Sequence, residues 1–383
     1  MKRFLAGATA LVLVTLAAQA DAASGTATRA WQFKDAAPAA LELDNLIGDV
    51  RVERGTAAGF YVSVVVTTEA DTSAEAQALA EAVEFRSHDS GADSSFAVVL
   101  PAERFPRIYY HEVHQGWFAG RASVEYLGER RRLTGDRDEG QVVRVDILVR
   151  APAGSKLAVR NIFGDSTADG ISGEVSLEGT GGQLAARNGD GRARLDSGSG
   201  PVEVSAWSGE VVADTGSGAI RVRDCRCRIK ADSGSGAVHV TGGEGELDAD
   251  TGSGTVSAED FKGSVRADTG SGAVRIVGSS GATEVAADTG SGSVSVSGDL
   301  SALQRLHLDT GSGGIEVEAT AWPSMELVVD TGSGGVDIDV PGAEVSRDED
   351  RHYVVRVGGG GFRGKIDTGS GSVRLRTAAA AAH

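Results

Sequence analysis

A five-residue phrase, Asp-Thr-Gly-Ser-Gly, recurs nine times in the second half of this chain of 383 residues. The first five copies follow at a strict step of eighteen residues and the later copies at longer steps, and two copies carry Ser in place of Thr. Self-similarity at a fixed period is typical of repeat architectures and outweighs local propensity. The nine copies begin at Asp196, Asp214, Asp232, Asp250, Asp268, Asp288, Asp309, Asp330 and Asp367.

Apolar residues flank each copy with a period of two. Before the phrase at Asp268 they are Val265 and Ala267, and after it they are Val274 and Ile276, with polar or charged residues between. Such alternation is typical of a strand with one buried face. One unit cannot bury its apolar edge alone, whereas stacked units can. The sequence therefore predicts an all-β fold, a parallel β-helix or β-solenoid of about eighteen-residue coils.

The phrase itself suits a corner between two strands. Its two glycines are expected to supply positive φ at low cost, and Asp and Ser can bond nearby backbone amides. A second glycine column, which includes Gly209, Gly245 and Gly263, marks the opposite corner. We therefore interpret the nine lead Asp residues as structural corner residues, with no metal site and no catalytic group among them.

Other uses of the phrase are weaker alternatives. Asp-Thr-Gly-Ser is also the active-site phrase of aspartic proteases, and Leu327–Ser333 matches it. Those enzymes bring two Asp together across two lobes to share a proton, whereas here the phrase is repeated in parallel. Carboxylates stacked about 4.8 Å apart could instead bind divalent cations weakly, and the Thr and Ser hydroxyls could form an ice-binding face.

The composition divides the chain into four predicted segments. A signal peptide is followed by a mixed, β-rich part with one short helix from Ala74 to Val83, then by the β-solenoid repeats and a disordered tail. Weaker copies of the repeat, led by Asp44, Arg160 and Glu178, come before the strict copies. The predicted boundaries are residues 1–22, 23–150, 151–377 and 378–383.

The N-terminal segment and the net charge limit where the protein acts and on what. A basic start and an apolar run from Phe4 to Ala18 precede small residues suited to signal peptidase, and this run is too short to span a bilayer. We therefore expect export to the periplasm, the outer surface or the medium. A formal charge of −17 argues against nucleic acid as a partner. No cofactor is expected.

Residues 104–140 differ from the rest of the chain because Arg and aromatic residues concentrate there. Tyr, Trp and Arg are the usual anchors of interfaces, so the segment is a candidate docking surface for a cell-envelope protein or a glycan. The alternative is a cap over the open end of the solenoid, which repeat arrays need. The candidate partner-binding residues are Tyr109, Tyr110, Trp117, Phe118, Arg121, Arg130, Arg131 and Arg132.

Two pairs of reactive side chains need separate treatment. Cys225 and Cys227 are the only cysteines; a local disulfide between them is near the geometric limit, and free thiols or an intermolecular bond stay open. His111 and His114 are one residue short of the zincin spacing. In a strand they would point to opposite faces, so we expect solvated histidines there and no metal site.

Several stretches resemble one bacterial family. They are Leu-x-Leu-x-Asn-x-x-Gly-Asp-Val-x-Val at Leu41–Val52, Val-x-Ala-Pro-Ala-Gly at Val149–Gly154, the serial Thr-Gly-Ser-Gly-x-Val turns, and the closing stretch Gly358–Val373. Together they resemble the β-strand-repeat "putative adhesin" domain of unknown function, which is related to the head GIN domain. The resemblance implies a β-helical extracytoplasmic protein, and it supplies no catalytic residues.

The sequence thus favours an extracytoplasmic binding or structural module of adhesin type without catalytic activity. A competing interpretation is a periplasmic sensor or envelope scaffold that binds a protein through residues 104–140. A third is a polysaccharide-active β-helix enzyme, which would group acidic and basic catalytic residues in one cleft, whereas charged positions here are spread evenly. The oligomeric state stays open.

Overall fold

The computed structural model describes residues 11–13, 24–32, 40–89, 93–110, 120–278, 280–347 and 351–378. Within these ranges the chain is all-β, as the repeats predict, with one α-helix and a long mixed sheet of many strands. The chain divides into two compact units, unit 1 from Met1 to Gln183 and unit 2 from Leu184 to His383. Apart from Leu11–Leu13, a strand, the predicted signal peptide lies outside the described residues.

Unit 1 combines the predicted short helix with strands of two to ten residues and one turn of 3-10 helix at Arg137–Glu139. Its described elements are β1 (Leu11–Leu13), β2 (Ser24–Gln32), β3 (Ala40–Ile47), β4 (Val50–Arg54), β5 (Tyr61–Glu69), α1 (Ser73–Ala82), β6 (Glu84–Asp89), β7 (Asp93–Val99), β8 (Ile108–Tyr109), β9 (Arg121–Tyr126), β10 (Glu129–Thr134), β11 (Val142–Ala151), β12 (Ser155–Phe163), β13 (Ser166–Asp169) and β14 (Ser172–Gly181).

Parallel pairing in unit 1 follows the weak repeats. β12 pairs in parallel with β14 and with β3, which places Arg160 beside both Glu178 and Asp44. β13 pairs with β4 in the same sense. The inward side chains of these strands, among them Leu41 and Leu157, are buried. The weak copies are therefore aligned in register even though they lack the full phrase.

An antiparallel layer and the helix complete unit 1. β2 and β11 both pair antiparallel with β5, and β11 also pairs in parallel with β4. The helix begins after Thr72, whose hydroxyl oxygen accepts a hydrogen bond from the Glu75 amide at 3.2 Å. A Cβ on Gly25 would collide with the backbone of Ala76. Glycine on β2 therefore lets the helix lie close to the sheet.

Unit 2 is built from the strict repeats. Its described strands are β15 (Leu184–Arg187), β16 (Asp190–Ser197), β17 (Val202–Ser205), β18 (Ser208–Thr215), β19 (Ile220–Ser233), β20 (Val238–Thr251), β21 (Val256–Glu259), β22 (Lys262–Thr269), β23 (Val274–Val277), β24 (Ala282–Thr289), β25 (Val294–Asp299), β26 (Arg305–Thr310), β27 (Ile315–Ala321), β28 (Met325–Thr331), β29 (Val336–Asp339), β30 (Glu344–Arg347), β31 (His352–Val357), β32 (Phe362–Thr368) and β33 (Val373–Thr377).

Each repeat of unit 2 contributes one strand segment before its phrase and one after it. The segments before the phrase pair in parallel and in register, and we call this set the first ladder. The segments after the phrase form a second ladder in the same way. Val265 and Ala267 on one ladder and Val274 and Ile276 on the other are at most 1% exposed. The period-two alternation therefore separates buried from exposed positions on both ladders.

The last repeat of the chain is not the last in space. β32 pairs in parallel with β26 on one side and with β28 on the other. β33 likewise lies between β27 and β29. Asp367 therefore lies between Asp309 and Asp330 in the first ladder. Beyond β28, that ladder continues with β31 and then β30, both in antiparallel pairing.

Candidate functional site

The second residue of the phrase bonds seven of the nine corners of unit 2 to a neighbouring corner, whereas Thr331 donates to Gly334 O of its own corner at 3.3 Å. Thr215 is buried; its hydroxyl donates to the carbonyl oxygen of Gly200 at 3.1 Å and accepts from the Gly218 amide at 3.0 Å. Because the hydroxyls at this position are buried and bonded, they cannot contribute to the exposed face that ice binding would need. The same two bonds recur at Ser233, Thr251, Thr269, Thr289, Thr310 and Thr368.

The glycines of the phrase are required for a reason other than the positive φ that the sequence predicted. Among the described residues, those with positive φ do not include Gly216 or Gly218. A Cβ on Gly218 would instead collide with the carbonyl oxygen of Gly200 in the preceding repeat. The glycines are therefore required because stacked corners approach closely. The second glycine column does supply positive φ, for example 117° at Gly209 and 108° at Gly263.

The nine lead carboxylates form one column on the outer side of the first ladder, all of them partly or fully exposed. Three have a cationic or ionisable neighbour at short distance: Arg194 Nη2 lies 3.0 Å from Asp196 Oδ2, Lys365 Nζ lies 2.9 Å from Asp367 Oδ2, and His352 Nδ1 lies 2.6 Å from Asp330 Oδ1. The corner bonds described above are made by the second residue of the phrase, so the structural role of the lead Asp residues stays a prediction. Their common property is exposure along one stripe.

Mutual repulsion acts within this column. Partial burial raises the pKa of the Asp250 carboxyl above its ordinary value, and the negative charges of Asp268, Asp232 and Asp248 raise it further. The pKa of Asp214 is raised for the same two reasons. Among the described residues, no group of three or more His, Cys, Asp or Glu side chains is arranged to hold a metal ion.

The candidate docking residues of segment 104–140 are divided by the fold. β8, β10 and β9 form a small separate sheet, in which β9 and β10 are a hairpin turned by Leu127 and Gly128, both at positive φ. The Tyr110 ring packs 4.4 Å from the Phe163 ring, centroid to centroid. Tyr109 is half-buried under the Arg137 guanidinium, 6.0 Å from its ring centroid. Trp117, Phe118, His111 and His114 lie outside the described residues.

The four candidate arginines have different environments. Arg121 is bound to Glu139 through two nitrogens, with Nη2 to Oε1 at 2.6 Å and Nε to Oε2 at 3.0 Å. Arg130 is exposed and donates from Nε to Ser123 Oγ at 2.9 Å, and Arg132 is exposed beside it. Arg121, Arg130 and Arg132 are all exposed on the hairpin, and of these Arg121 is held in an ion pair with Glu139.

Arg131 is buried, which removes it from any docking surface. It is 5% exposed and donates from Nη2 to the Phe105 carbonyl oxygen at 2.9 Å, and burial lowers the pKa of its guanidinium. Tyr126, which the sequence analysis did not single out, is buried too, and its hydroxyl donates to the Val98 carbonyl oxygen at 2.7 Å. Both side chains fix the hairpin to the rest of unit 1. The spacing of Arg131 from Leu133 is the signal that places it on the buried face.

The two cysteines are joined. Cys225 and Cys227 form a disulfide across a Cα–Cα distance of 5.5 Å, and both are buried in β19. Among the residues that the structure describes, no cysteine is free. The bond lies at the second corner of its repeat, where Asp224 and Arg226 line a groove.

That groove, which we call the corner groove, has a volume of about 510 Å³ and crosses four consecutive repeats of unit 2. Its charged lining carries both signs, with Arg226, Glu244 and Lys262 in register on one column and Asp224 and Asp260 on the next. Both Asp residues have left-handed backbones, with φ of 51° and 52°. The remaining lining residues are Ala206, Trp207, Ser208 and Gly243.

Glycine alternates with aspartate along the left-handed column. A Cβ on Gly242 would lie 2.7 Å from Asp224 Oδ1, and one on Gly278 would collide with the Asp260 carboxylate. Each Asp side chain therefore lies over the glycine of the following repeat. The arrangement keeps carboxylate oxygens and guanidinium or ammonium donors close together along an open channel, which suits binding of a polar ligand rather than nucleophilic chemistry.

Comparisons with known proteins add little. No protein-family model matches the chain, so the resemblance to the adhesin-domain family stays a prediction. No curated protein matches it either. A solved structure that does match is the "Crystal structure of a putative cell adhesion protein" from Clostridium sporogenes, at 10% identity over 92% of this chain and 100% of that one, with a TM-score of 0.21. We draw no conclusion about fold or function from that likeness.

Among the described residues, no helix combines the length and the apolar character needed to cross a membrane.

Proposed function

We propose that this protein is an extracytoplasmic β-solenoid of adhesin type that binds a glycan without catalysing a reaction. The observation that carries the proposal is the corner groove, which crosses four consecutive repeats. Stacked repeats create extended binding surfaces. A volume of about 510 Å³ also falls within the size range of ligand pockets. The in-register ladders with buried apolar columns support the solenoid part of the proposal.

The lining chemistry favours a ligand rich in hydroxyl groups. The carboxylates of Asp224 and Asp260 can accept hydrogen bonds from sugar hydroxyls, and Arg226 and Lys262 can donate to hydroxyl, carboxylate or sulfate oxygens. Because residues at the same corner recur in successive repeats, the groove offers similar contacts at regular intervals. An extended polymer of similar units is the ligand class that such a surface fits.

The test removes the carboxylates without disturbing the backbone. Gly242 and Gly278 show that glycine occupies this left-handed column naturally, so Asp224→Gly with Asp260→Gly deletes both groups at no backbone cost. On a glycan array, the double variant should lose the binding that the native chain shows. Its melting temperature should stay within about 2 °C of the native value, as is usual for surface changes.

A matched control uses exposed charges outside the groove. Arg275→Ala with Glu316→Ala changes two exposed side chains on the second ladder and should leave glycan binding unaltered. Retention of full binding by the folded Asp224→Gly, Asp260→Gly variant would end the glycan proposal for this groove.

A second candidate function is docking of an envelope protein through the β9–β10 hairpin. Arg130 and Arg132 are exposed side by side on it, and Arg is a frequent interface anchor. Pull-down from envelope extract should then fail with Arg130→Ala plus Arg132→Ala and succeed with the groove variant. The opposite pattern would favour the groove.

Export is tested separately. Cell fractionation with N-terminal sequencing should find the protein outside the cytoplasm, beginning at Asp21 or Ala23, the positions after the two small-residue cleavage sites. A cytoplasmic protein that retains Met1 would contradict the extracytoplasmic assignment.

A further inference from the structure

The C-terminal repeat, which we define as β32 and β33, occupies an interior place although it comes last in the chain. Its hydrogen bonds run to both sides: Gly369 N donates to Thr310 O at 3.1 Å, and Gly332 N donates to Thr368 O at 3.0 Å. Residues on both flanks therefore form a slot. The slot must be open before the last segment of the chain can enter it.

Burial shows how much of the C-terminal repeat depends on this slot. The side chains of Ile366, Val373 and Leu375 are fully buried, and Thr368 takes part in the hydroxyl bonding of the corners. Almost every stabilising contact of the segment is therefore made to the neighbouring repeats. The same contacts would form if the segment came from another copy of the chain.

The charges of the slot select a basic segment. Arg374 and Arg376 of the C-terminal repeat lie between acidic strands, with Arg374 3.6 Å from Glu316 on β27 and Arg376 3.4 Å from Asp337 on β29. If β27 and β29 were direct neighbours in the same register, Glu316 would face Asp337 and like charges would repel. Insertion of the arginines replaces that repulsion by attraction.

The shape of the slot is also specific. Gly364 occupies an inward position on β32 where the neighbouring strands carry Leu306 and Leu327. A Cβ on Gly364 would lie 2.9 Å from Leu327 Cδ1 and 3.3 Å from Leu306 Cβ. A larger residue at this position would therefore require the Leu327 side chain to move. Charge and shape together make the slot complementary to this segment rather than to any copy of the phrase.

A glycine-rich linker precedes the C-terminal repeat. Gly358–Gly361 are four consecutive, exposed glycines, and Gly358 and Gly360 have φ of 63° and 68°. Such a linker changes direction at low cost. Within the described residues, β33 is the last strand after this linker.

We propose that the C-terminal repeat is exchanged between copies of this chain, so that the slot of one molecule is filled by Phe362–Thr377 of a second copy. The contacts are the same in the closed and exchanged forms, which is the condition for domain swapping. Reciprocal exchange gives a dimer, and serial exchange gives a longer chain of molecules. This self-association goes beyond glycan binding and does not depend on it.

The test uses pairs of single cysteine variants of the full chain. His307 and Lys365 are register partners on β26 and β32, and both are exposed. A His307→Cys chain and a size-tagged Lys365→Cys chain are refolded together and treated with a short bismaleimide. Exchange should produce a cross-link between unlike chains. The His307→Cys, Lys365→Cys double variant establishes that the two positions are within reach of the reagent.

The control pair lies in the same column but away from the slot. Asp248 and Arg266 are exposed register partners on β20 and β22, and exchange of the C-terminal repeat does not bring them together across chains. Cross-linking of the His307 and Lys365 variants should exceed this control by about tenfold or more, because swapped partners are held at a high effective concentration. A yield equal to the control would overturn the proposal.

Light scattering on the unmodified chain gives an independent readout. Refolding at high concentration should produce dimers or longer assemblies, and deletion of Gly359 and Gly360 should raise their fraction because a shorter linker hinders entry into the molecule's own slot. Monomers alone, for both the native chain and the shortened chain, would overturn the proposal whatever the cross-linking shows.

Discussion

The corners of unit 1 and unit 2 meet the same demand with different side chains. In unit 1 the residue after the lead position is Asn161, whose amide nitrogen donates to the Gly48 carbonyl oxygen at 2.9 Å. In unit 2 the equivalent Thr215 donates from its hydroxyl to the Gly200 carbonyl oxygen at 3.1 Å. The acceptor is in each case the fifth residue of the neighbouring repeat's phrase. A buried carbonyl must be paired, and either side chain supplies the donor.

The difference lies in what remains after that bond. A hydroxyl donates once and accepts once at seven corners, so each of these Thr or Ser residues bonds both its own corner and a neighbouring one. The asparagines also bond each other, Asn45 Nδ2 to Asn161 Oδ1 at 3.1 Å, yet within the described residues Asn45 Oδ1 has no partner. The Thr arrangement can therefore repeat without loss, whereas the Asn arrangement leaves one buried oxygen unsatisfied.

The largest predicted loss of stability comes from replacing a corner glycine by alanine, and it should be greater in unit 1 than in unit 2. Gly164 in unit 1 has φ of 120°, and a Cβ there would collide with Gly48 O. Gly254 in unit 2 does not have a positive φ, but a Cβ there would collide with Gly236 O. Gly164→Ala should cost about 4 kcal/mol, from overpacking and backbone strain together, and Gly254→Ala about 3 kcal/mol. Denaturant midpoints of the two variants measure the difference.

Gly335→Ala is the matched control for these changes. Nothing lies within 4 Å of a Cβ at Gly335, so the variant should match the native chain. If Gly254→Ala were as stable as Gly335→Ala, close approach of the stacked corners would not be the reason for the phrase glycines.

A middle-sized effect tests the hydroxyl itself. Thr251 accepts from the Gly254 amide at 3.1 Å and donates to Gly236 O at 2.8 Å. Thr251→Val keeps the shape and loses both bonds, which should cost about 2 kcal/mol at about 1 kcal/mol per bond. Thr251→Ser keeps both bonds, as Ser233 does, and should lose less. Asn161→Leu removes the equivalent bond of unit 1 and should resemble the Val variant.

Equal melting temperatures for the Val and Ser variants would show that packing, rather than bonding, selects Thr at this position. A stable Asn161→Leu beside an unstable Thr251→Val would show that only unit 2 depends on its corner bonds.

Periodicity in the sequence predicted which residues form strands and which side of each strand is buried. Val274 and Ile276, for example, alternate with exposed Arg275, and the structure buries the first two. This succeeds because burial of a strand face depends on local alternation. The same logic, applied to the hairpin, would have placed Arg131 inside with Leu133 instead of on a docking surface.

The place of the C-terminal repeat could not be predicted in this way. Every copy of the phrase has the same alternation. The local pattern therefore does not show whether the strand of Asp309 pairs with the strand of Asp330, which is next in the chain, or with that of Asp367. The order depends on long-range terms, namely the acidic strands around Arg374 and the missing Cβ of Gly364. The corner groove was missed for a related reason, because its charges come from four separate repeats.

The smallest predicted effect contrasts the repelling carboxylates of unit 2 with a paired carboxylate of unit 1. Because burial and the neighbouring charges raise the pKa of Asp250, the folded chain binds a proton there more readily than the unfolded chain. Its contribution to stability is therefore fully present below the unfolded pKa and is lost as pH rises through the folded pKa. Asp250→Asn should be slightly more stable than the native chain at about pH 7, and this advantage should shrink toward about pH 4.

The pKa of Glu139 is shifted in the opposite direction, so its effect on the pH dependence of stability has the opposite sign. The hydrogen bond from Arg121 lowers the pKa of the Glu139 carboxyl, so its contribution is present above the unfolded pKa and is lost as pH falls through the folded pKa. Glu139→Gln should therefore be less stable than the native chain at about pH 7, with a deficit that shrinks in acid. Melting temperatures of the three proteins across this pH range test both signs. A stability advantage of Asp250→Asn that grows on acidification would show that the column carboxylates attract cations or donors more strongly than they repel each other.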